Sequence, residues 1–143
     1  MLYNNLMSRT HLLVVLAVLV CVIAALQFTA LTFHLYWTFW WYDIIVHFLG
    51  GTFSGLLILW LCFFSGYFGT PRIPSKVLVF WFIVLSALAV GIGWEVFERA
   101  LVVTSSIEGY YLDTILDVIF DVIGGIVAFR FFISRSIIYE VNA

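Results

Sequence analysis

The stretch WYDIIVHFLGG, residues 41–51, puts Asp43 and His47 four residues apart in a run that otherwise reads as lipid-soluble. Residues three or four apart share a helix face, so the two side chains form a pair. An ionisable pair is expensive in hydrocarbon. The stretch therefore asks whether the chain spans a membrane and, if so, what balances the pair.

Composition answers the first question. Of 143 residues, 65% are hydrophobic and only 10% charged, with a mean hydropathy of +1.18. A soluble domain carries about 25% charged residues, so this chain has too few to cover a water-facing surface. An integral membrane protein is expected. The apolar runs are continuous rather than alternating, which excludes a membrane β-barrel and makes the fold class all-α. Four segments, roughly 12–33, 40–64, 77–100 and 111–133, exceed the ~20 residues needed to cross the hydrocarbon. The expected architecture is one domain, 1–143, of four transmembrane helices. The first run is longer than the core of a signal peptide and reads as a retained helix. Cys21 and Cys62 lie in apolar runs without metal-ligand neighbours and read as small core hydrophobes. The break SGYFGTPRIPSK, residues 65–76, holds both prolines and reads as a loop. A net charge of −2 gives no reason to expect a nucleic-acid partner.

The basic residues orient the chain. Arg9 precedes the first segment, Arg72 and Lys76 sit between the second and third, and Arg130 and Arg135 close the fourth. The other two connections, 34–39 and 101–110, contain no Lys or Arg. The positive-inside rule places both termini in the cytoplasm, which makes this a multi-pass protein of the cell (inner) membrane. Tyr36, Trp37, Trp40, Trp41 and Tyr42, with Tyr110 and Tyr111, form an aromatic belt at the outer interface.

With that orientation, Asp43 lies near the outer surface and His47 one turn deeper. The third segment ends outside at GWEVFER, with Glu98 and Arg99 shallow and Glu95 about a turn deeper. The fourth enters from outside at YYLDTILDVIFD, with Asp113 shallow, Asp117 a turn down and Asp121 two turns down. Asp43 with His47, Glu95 with Glu98, and Asp113 with Asp117 and Asp121 each make one stripe. Three helices thus bring polar groups to a common depth, and such stripes face the bundle because lipid cannot solvate them. Small-residue pairs at Gly51/Gly55, Ala87/Gly91 and Gly124/Ala128 would let the helices close around them.

These stripes hold six carboxylates against Arg99 and at most one proton on His47. Fully ionised, they would carry about −5, and two like charges 4 Å apart repel by about 4 kcal/mol even at an effective dielectric near 20. Either several carboxyls keep their protons, or cations bind. One imidazole with several carboxylates is a metal-ligand set, and the metal candidates are Asp43, His47, Glu95, Asp113 and Asp117. Oxygen-rich sites suit Mg or Mn, and an imidazole shifts the choice toward Zn, Fe or Mn. His34, in the first outer connection, would offer a second nitrogen. Each residue alone has a plainer reading. Asp43 and His47 read as a structural pair, Glu98 and Arg99 as interfacial anchors, and Asp113 as a helix cap. Trp94, Gly50, Gly93 and Gly125 read as packing. Asp121, two turns into an apolar helix, has no plain reading.

WYDIIVHFLGG, GWEVFE and LDTILDVIFDVIGGIVA resemble the motifs of the YjdF-like family of small bacterial membrane proteins, itself similar to the VanZ-like group. The resemblance covers about residues 41–128 and implies the same site at Asp43, His47, Glu95, Glu98, Asp113 and Asp117. Position 121 departs from it, since such proteins tend to have an apolar residue there. The family assigns no reaction.

Three functions fit these residues. In the first, a divalent metal serves a membrane hydrolase or transferase acting on a lipid or lipid-linked substrate. Arg99 would then hold an anionic group, and Glu98 or Asp121 would act as general base. In the second, the same carboxylates form a proton or cation relay. In the third, the protein is a structural subunit, working as a homo-oligomer or within a membrane complex. The inner halves of the helices are apolar apart from Thr52, Ser54 and Ser86, which favours a dead-ended pocket over a relay.

The orientation has a direct test. Single cysteines at positions 3, 69 and 105 should label from outside intact cells at 105 alone, and external labelling at 69 would overturn it.

Overall fold

The computed structural model describes residues 9–68, 75–101 and 110–136. Arg72 of the long loop, the connection 102–109 and the labelling positions 3, 69 and 105 lie outside them. The described residues are helical, with no strand among them. Helix α1 covers Arg9–Phe33, α2 Leu35–Thr38, α3 Trp41–Leu59, α4 Lys76–Ala100 and α5 Tyr110–Ser136. A π turn, Trp60–Phe64, extends α3. Among the described residues, three spans are long and apolar enough to cross a membrane: Thr10–Phe33, Trp41–Phe64 and Lys76–Ala100. Helix α5, at 27 residues, is long enough too. It carries Asp113, Asp117, Asp121 and Arg130, so its apolar surface is interrupted.

The ends of these helices follow from local chemistry. α1 stops at His34, whose backbone is left-handed at φ 56°. The expected connection 34–39 is not plain loop, because its middle forms the short α2. Thr29, Thr32 and Thr38 each donate a hydroxyl to the carbonyl four residues back, at 2.7, 2.8 and 3.2 Å, which satisfies a polar side chain without water. The π turn closes with Ser65 N–H donating to Trp60 O at 2.7 Å, and Gly66, at φ 87°, ends the segment. Ser75 caps α4 by accepting from Leu78 N–H at 3.3 Å.

Helix α3 is the centre of the bundle, with α5, α4 and α1 packed on it. Its contact with α5 is backbone on backbone. A Cβ at Gly51 would lie 1.9 Å from the carbonyl oxygen of Asp121, and one at Gly124 would lie 2.0 Å from that of Phe48. Thr52 Oγ1 donates across the seam to Gly124 O at 3.1 Å. One helical turn further on, a Cβ at Gly55 would meet Ile83 at 2.9 Å and Ala128 at 3.4 Å. Without a strong hydrophobic drive between helices in lipid, this close approach supplies the packing that holds the bundle. Beyond it lies an apolar core of Leu12, Leu56, Leu59, Val79, Ile83 and Phe132. At the other end a smaller cluster of Ala30, Tyr42 and Val46 ties α1 to α3.

The seam predicts a sharp asymmetry among glycines. Gly51→Ala and Gly124→Ala collide with backbone that no rotamer change relieves, and each should cost about 1–3 kcal/mol or more. Gly93→Ala meets open space within 4 Å and should stabilise α4 by up to about 1 kcal/mol through helix propensity. Thermal unfolding of the three variants in detergent checks the order, and a neutral Gly51→Ala would refute the close seam.

Candidate functional site

Five ionisable side chains from three helices meet where α3 and α5 begin and α4 ends. Asp43 and His47 come from the first two turns of α3, Glu95 from the end of α4, and Asp117 and Asp121 from successive turns of α5. Asp117, Asp121, His47 and Glu95 expose only 2, 3, 4 and 7% of their surfaces, and Asp43 is half-buried. Burying this many charge-bearing groups is costly unless each is paired or coordinated, so the partners matter.

The ring of His47 organises the cluster. Its Nδ1 lies 3.0 Å from Asp121 Oδ2. Its Nε2 faces the other way, 3.7 Å from both Asp43 Oδ1 and Glu95 Oε1. These separations are too long for hydrogen bonds, and both Nε2 and Glu95 Oε1 are buried without a hydrogen-bond partner. The Nδ1–Asp121 contact turns the other ring nitrogen, Nε2, toward the carboxylate oxygens of Asp43 and Glu95. Asp43, His47 and Asp117 each offer one ligand atom, and the three lie within 4.8 Å of one another. Glu95 is held by its other oxygen, which accepts from Thr114 Oγ1 at 2.7 Å.

The remaining sequence candidates sit outside this inner group. Glu98 is half-buried on the next turn of α4 and accepts from Trp94 Nε1 at 2.7 Å. Asp113, in the first turn of α5, and Arg99, in the last turn of α4, are exposed. His34 is also exposed, with its ring against Trp37. Thr52, Ser54 and Ser86 all donate to backbone carbonyls: Phe48 and Gly124, Gly51, and Ser54 respectively. Cys21 and Cys62 are free thiols.

Two participants went unread in the sequence, and a third, Tyr36, was read only as part of the aromatic belt. Thr114 lies three residues before Asp117 and so belongs to the same stripe. Gln27, a lone amide in an otherwise apolar run, was a visible signal. Its Oε1 accepts a hydrogen bond from Tyr36 Oη. Tyr36 lies in α2, outside the spans, where burial and the carboxylates of Asp43 and Glu98 push its phenol up, so it stays a neutral donor.

The protein is thus a multi-pass helical membrane protein with a buried carboxylate–histidine cluster. The chain belongs to the family described as "Predicted membrane protein (DUF2238)", whose model matches residues 2–136. That match includes the first helix, which lies outside the 41–128 motifs, and it supports a membrane-protein family without carrying the YjdF-like or VanZ-like names. No curated protein matches the chain, and no solved structure does.

The pairing of His47 with Asp121 is measurable. A double-mutant cycle of His47→Ala and Asp121→Ala should return a coupling of about 1–3 kcal/mol. Asp121→Asn, which retains an acceptor for Nδ1, should lose less than Asp121→Ala. A coupling near zero in thermal unfolding would mean the two groups are not partners.

Proposed function

We propose that Asp43, His47, Glu95 and Asp117 hold a divalent metal ion, and that the protein is a metal-dependent membrane enzyme acting on a lipid or lipid-linked substrate. The observation that carries this reading is the pair of 3.7 Å separations around His47 Nε2. Two atoms bound to one ion at about 2.0–2.2 Å lie roughly 3–4 Å apart, so these spacings suit shared ligands where they fail as hydrogen bonds. The second support is Asp121. A carboxylate on Nδ1 is the usual orienting partner of a ligating histidine, and it fixes the tautomer that leaves Nε2 free. One imidazole among carboxylates fits Zn, Mn or Fe, with Mg where the oxygens dominate.

A bound divalent ion supplies Lewis-acid activation of a phosphoryl or carbonyl oxygen. The chain's own groups supply the rest. Thr114 fixes the rotation of Glu95. Asp121 has an oxygen committed to His47, so Glu98 is the better placed proton acceptor. Its Oε1 is tied to Trp94, and its other oxygen is the one to take up a proton. Arg99, at the end of α4, suits an anionic lipid headgroup. In this reading α5 is the fourth span, both termini are cytoplasmic, and the site lies under the outer face of the cell membrane. Asp113 is a shallow carboxylate at the rim rather than an inner ligand. Transport is the weaker reading, because the hydroxyls of Thr52, Ser54 and Ser86 are spent on backbone carbonyls instead of forming a relay.

Metal analysis of the purified protein tests the proposal. Wild type should carry at least one divalent ion per chain, and His47→Ala and Asp117→Ala should lose it. Chelation should lower the melting temperature, since an ion at a hundred times its Kd stabilises the folded state by about 2.7 kcal/mol. Protein that purifies without metal, takes up none when it is added and is indifferent to chelator would eliminate the metal site.

A further inference from the structure

Helices α1 and α4 flank α3, but among the described residues the backbone of α1 approaches α3 and not α4. A cavity of about 130 Å³ lies in the gap, open on one side. Ile23 and Gln27 of α1 form one wall, Val90 and Trp94 of α4 the other, and His47 and Asp121 stand among its lining groups. Its walls are almost wholly apolar. Val90 is half exposed, which puts it at the mouth. Asp121 stays within reach of this space because the neighbouring positions are glycine. A Cβ at Gly91 would lie 2.3 Å from Asp121 Oδ2, inside the carboxylate itself.

We infer that this gap is a lateral entrance by which a hydrocarbon chain of a membrane lipid reaches the cluster from within the bilayer. Treating that lipid as the substrate rests on the metal-dependent reading above; its binding does not. Three features fix the class of ligand. The mouth lies on the flank of apolar spans, between α1 and α4, so what reaches it arrives dissolved in lipid. An apolar cavity of this size is poorly wetted and takes up hydrocarbon, as cavities near 150 Å³ take up benzene-sized guests. The polar groups then specify the other end of the ligand. Gln27 gives its oxygen to Tyr36, which leaves its amide N–H groups to donate to an ester or phosphate oxygen. Trp94 lines the cavity and also holds Glu98, so the walls of the entrance and a proton-accepting carboxylate share one side chain.

The experiment uses the full chain in phospholipid vesicles doped with a phospholipid bearing a photoactivatable diazirine in mid-chain. Adducts are mapped by mass spectrometry, and metal is counted in the same samples. Labelling should concentrate on Ile23, Val90 and Trp94 over the equally apolar but cavity-remote Val18, Leu85 and Ile119. Val90→Trp, which fills the mouth, should cut labelling of Ile23 by about tenfold, the effect of one decade in affinity, with metal content unchanged. Ile23→Phe serves the same purpose from α1 if Val90→Trp does not fold. Uniform labelling, labelling indifferent to both substitutions, or crosslinks from these positions to a second copy of the chain would overturn the inference. Metal with no localised adducts rejects the entrance alone. Localised adducts without metal keep the lipid site and reject the metal reading.

Discussion

A carboxylate buried in a lipid-spanning bundle has to be answered by some partner, and Asp121 is answered by the ring of His47 at 3.0 Å. The rest of the site takes its form from that contact. It orients the ring, and so sets which nitrogen faces Asp43 and Glu95. It also requires α3 and α5 to lie close enough for the reach. That closeness is provided by Gly51 and Gly124, whose missing side chains let each helix rest on the other's backbone. Packing and electrostatics are therefore a single problem here, since a wider seam would strand a carboxylate and an imidazole in hydrocarbon.

Much of this was legible in the sequence because the membrane simplifies the reading. Lipid admits only helices or closed barrels, so continuous apolar runs named the elements directly. Turn-by-turn counting from the helix ends brought Asp43, His47, Glu95 and Asp117 together, and the small-residue pairs marked the faces that meet. The same counting could not say how far each stripe extends into the bundle. Asp113 and Arg99 share spacing with inner residues, yet they sit on terminal turns, where neighbouring helices no longer cover them. Asp121 looked like a spare base. Its pairing with His47 spans 74 positions in the chain and depends on the α3–α5 approach, which no local pattern encodes.

Other features escaped for similar reasons. Propensity does not announce the π turn at Trp60–Phe64, because it differs from α-helix only in bonding five residues back instead of four. The short α2 lies in a connection whose aromatic residues read as an interfacial belt, a pattern that does not announce the helix or the bond from Tyr36 to Gln27. Gln27 stood out chemically, but its role as a cavity wall required knowing that α1 leans on α3 while leaving α4 free.

Gly91 carries a consequence for how this sequence is able to change. The three atoms nearest to a Cβ at that position, at 2.3, 2.9 and 3.2 Å, all belong to the side chain of Asp121. The two positions are thus a coupled pair in inheritance. While the aspartate stands, any larger residue at position 91 has to push its carboxylate aside. Where Asp121 is replaced by a smaller apolar residue, position 91 is released to grow, and Nδ1 of His47 loses the partner it has here. The order of such changes is biased too, since losing the aspartate first spares the glycine's replacement the cost of displacing it.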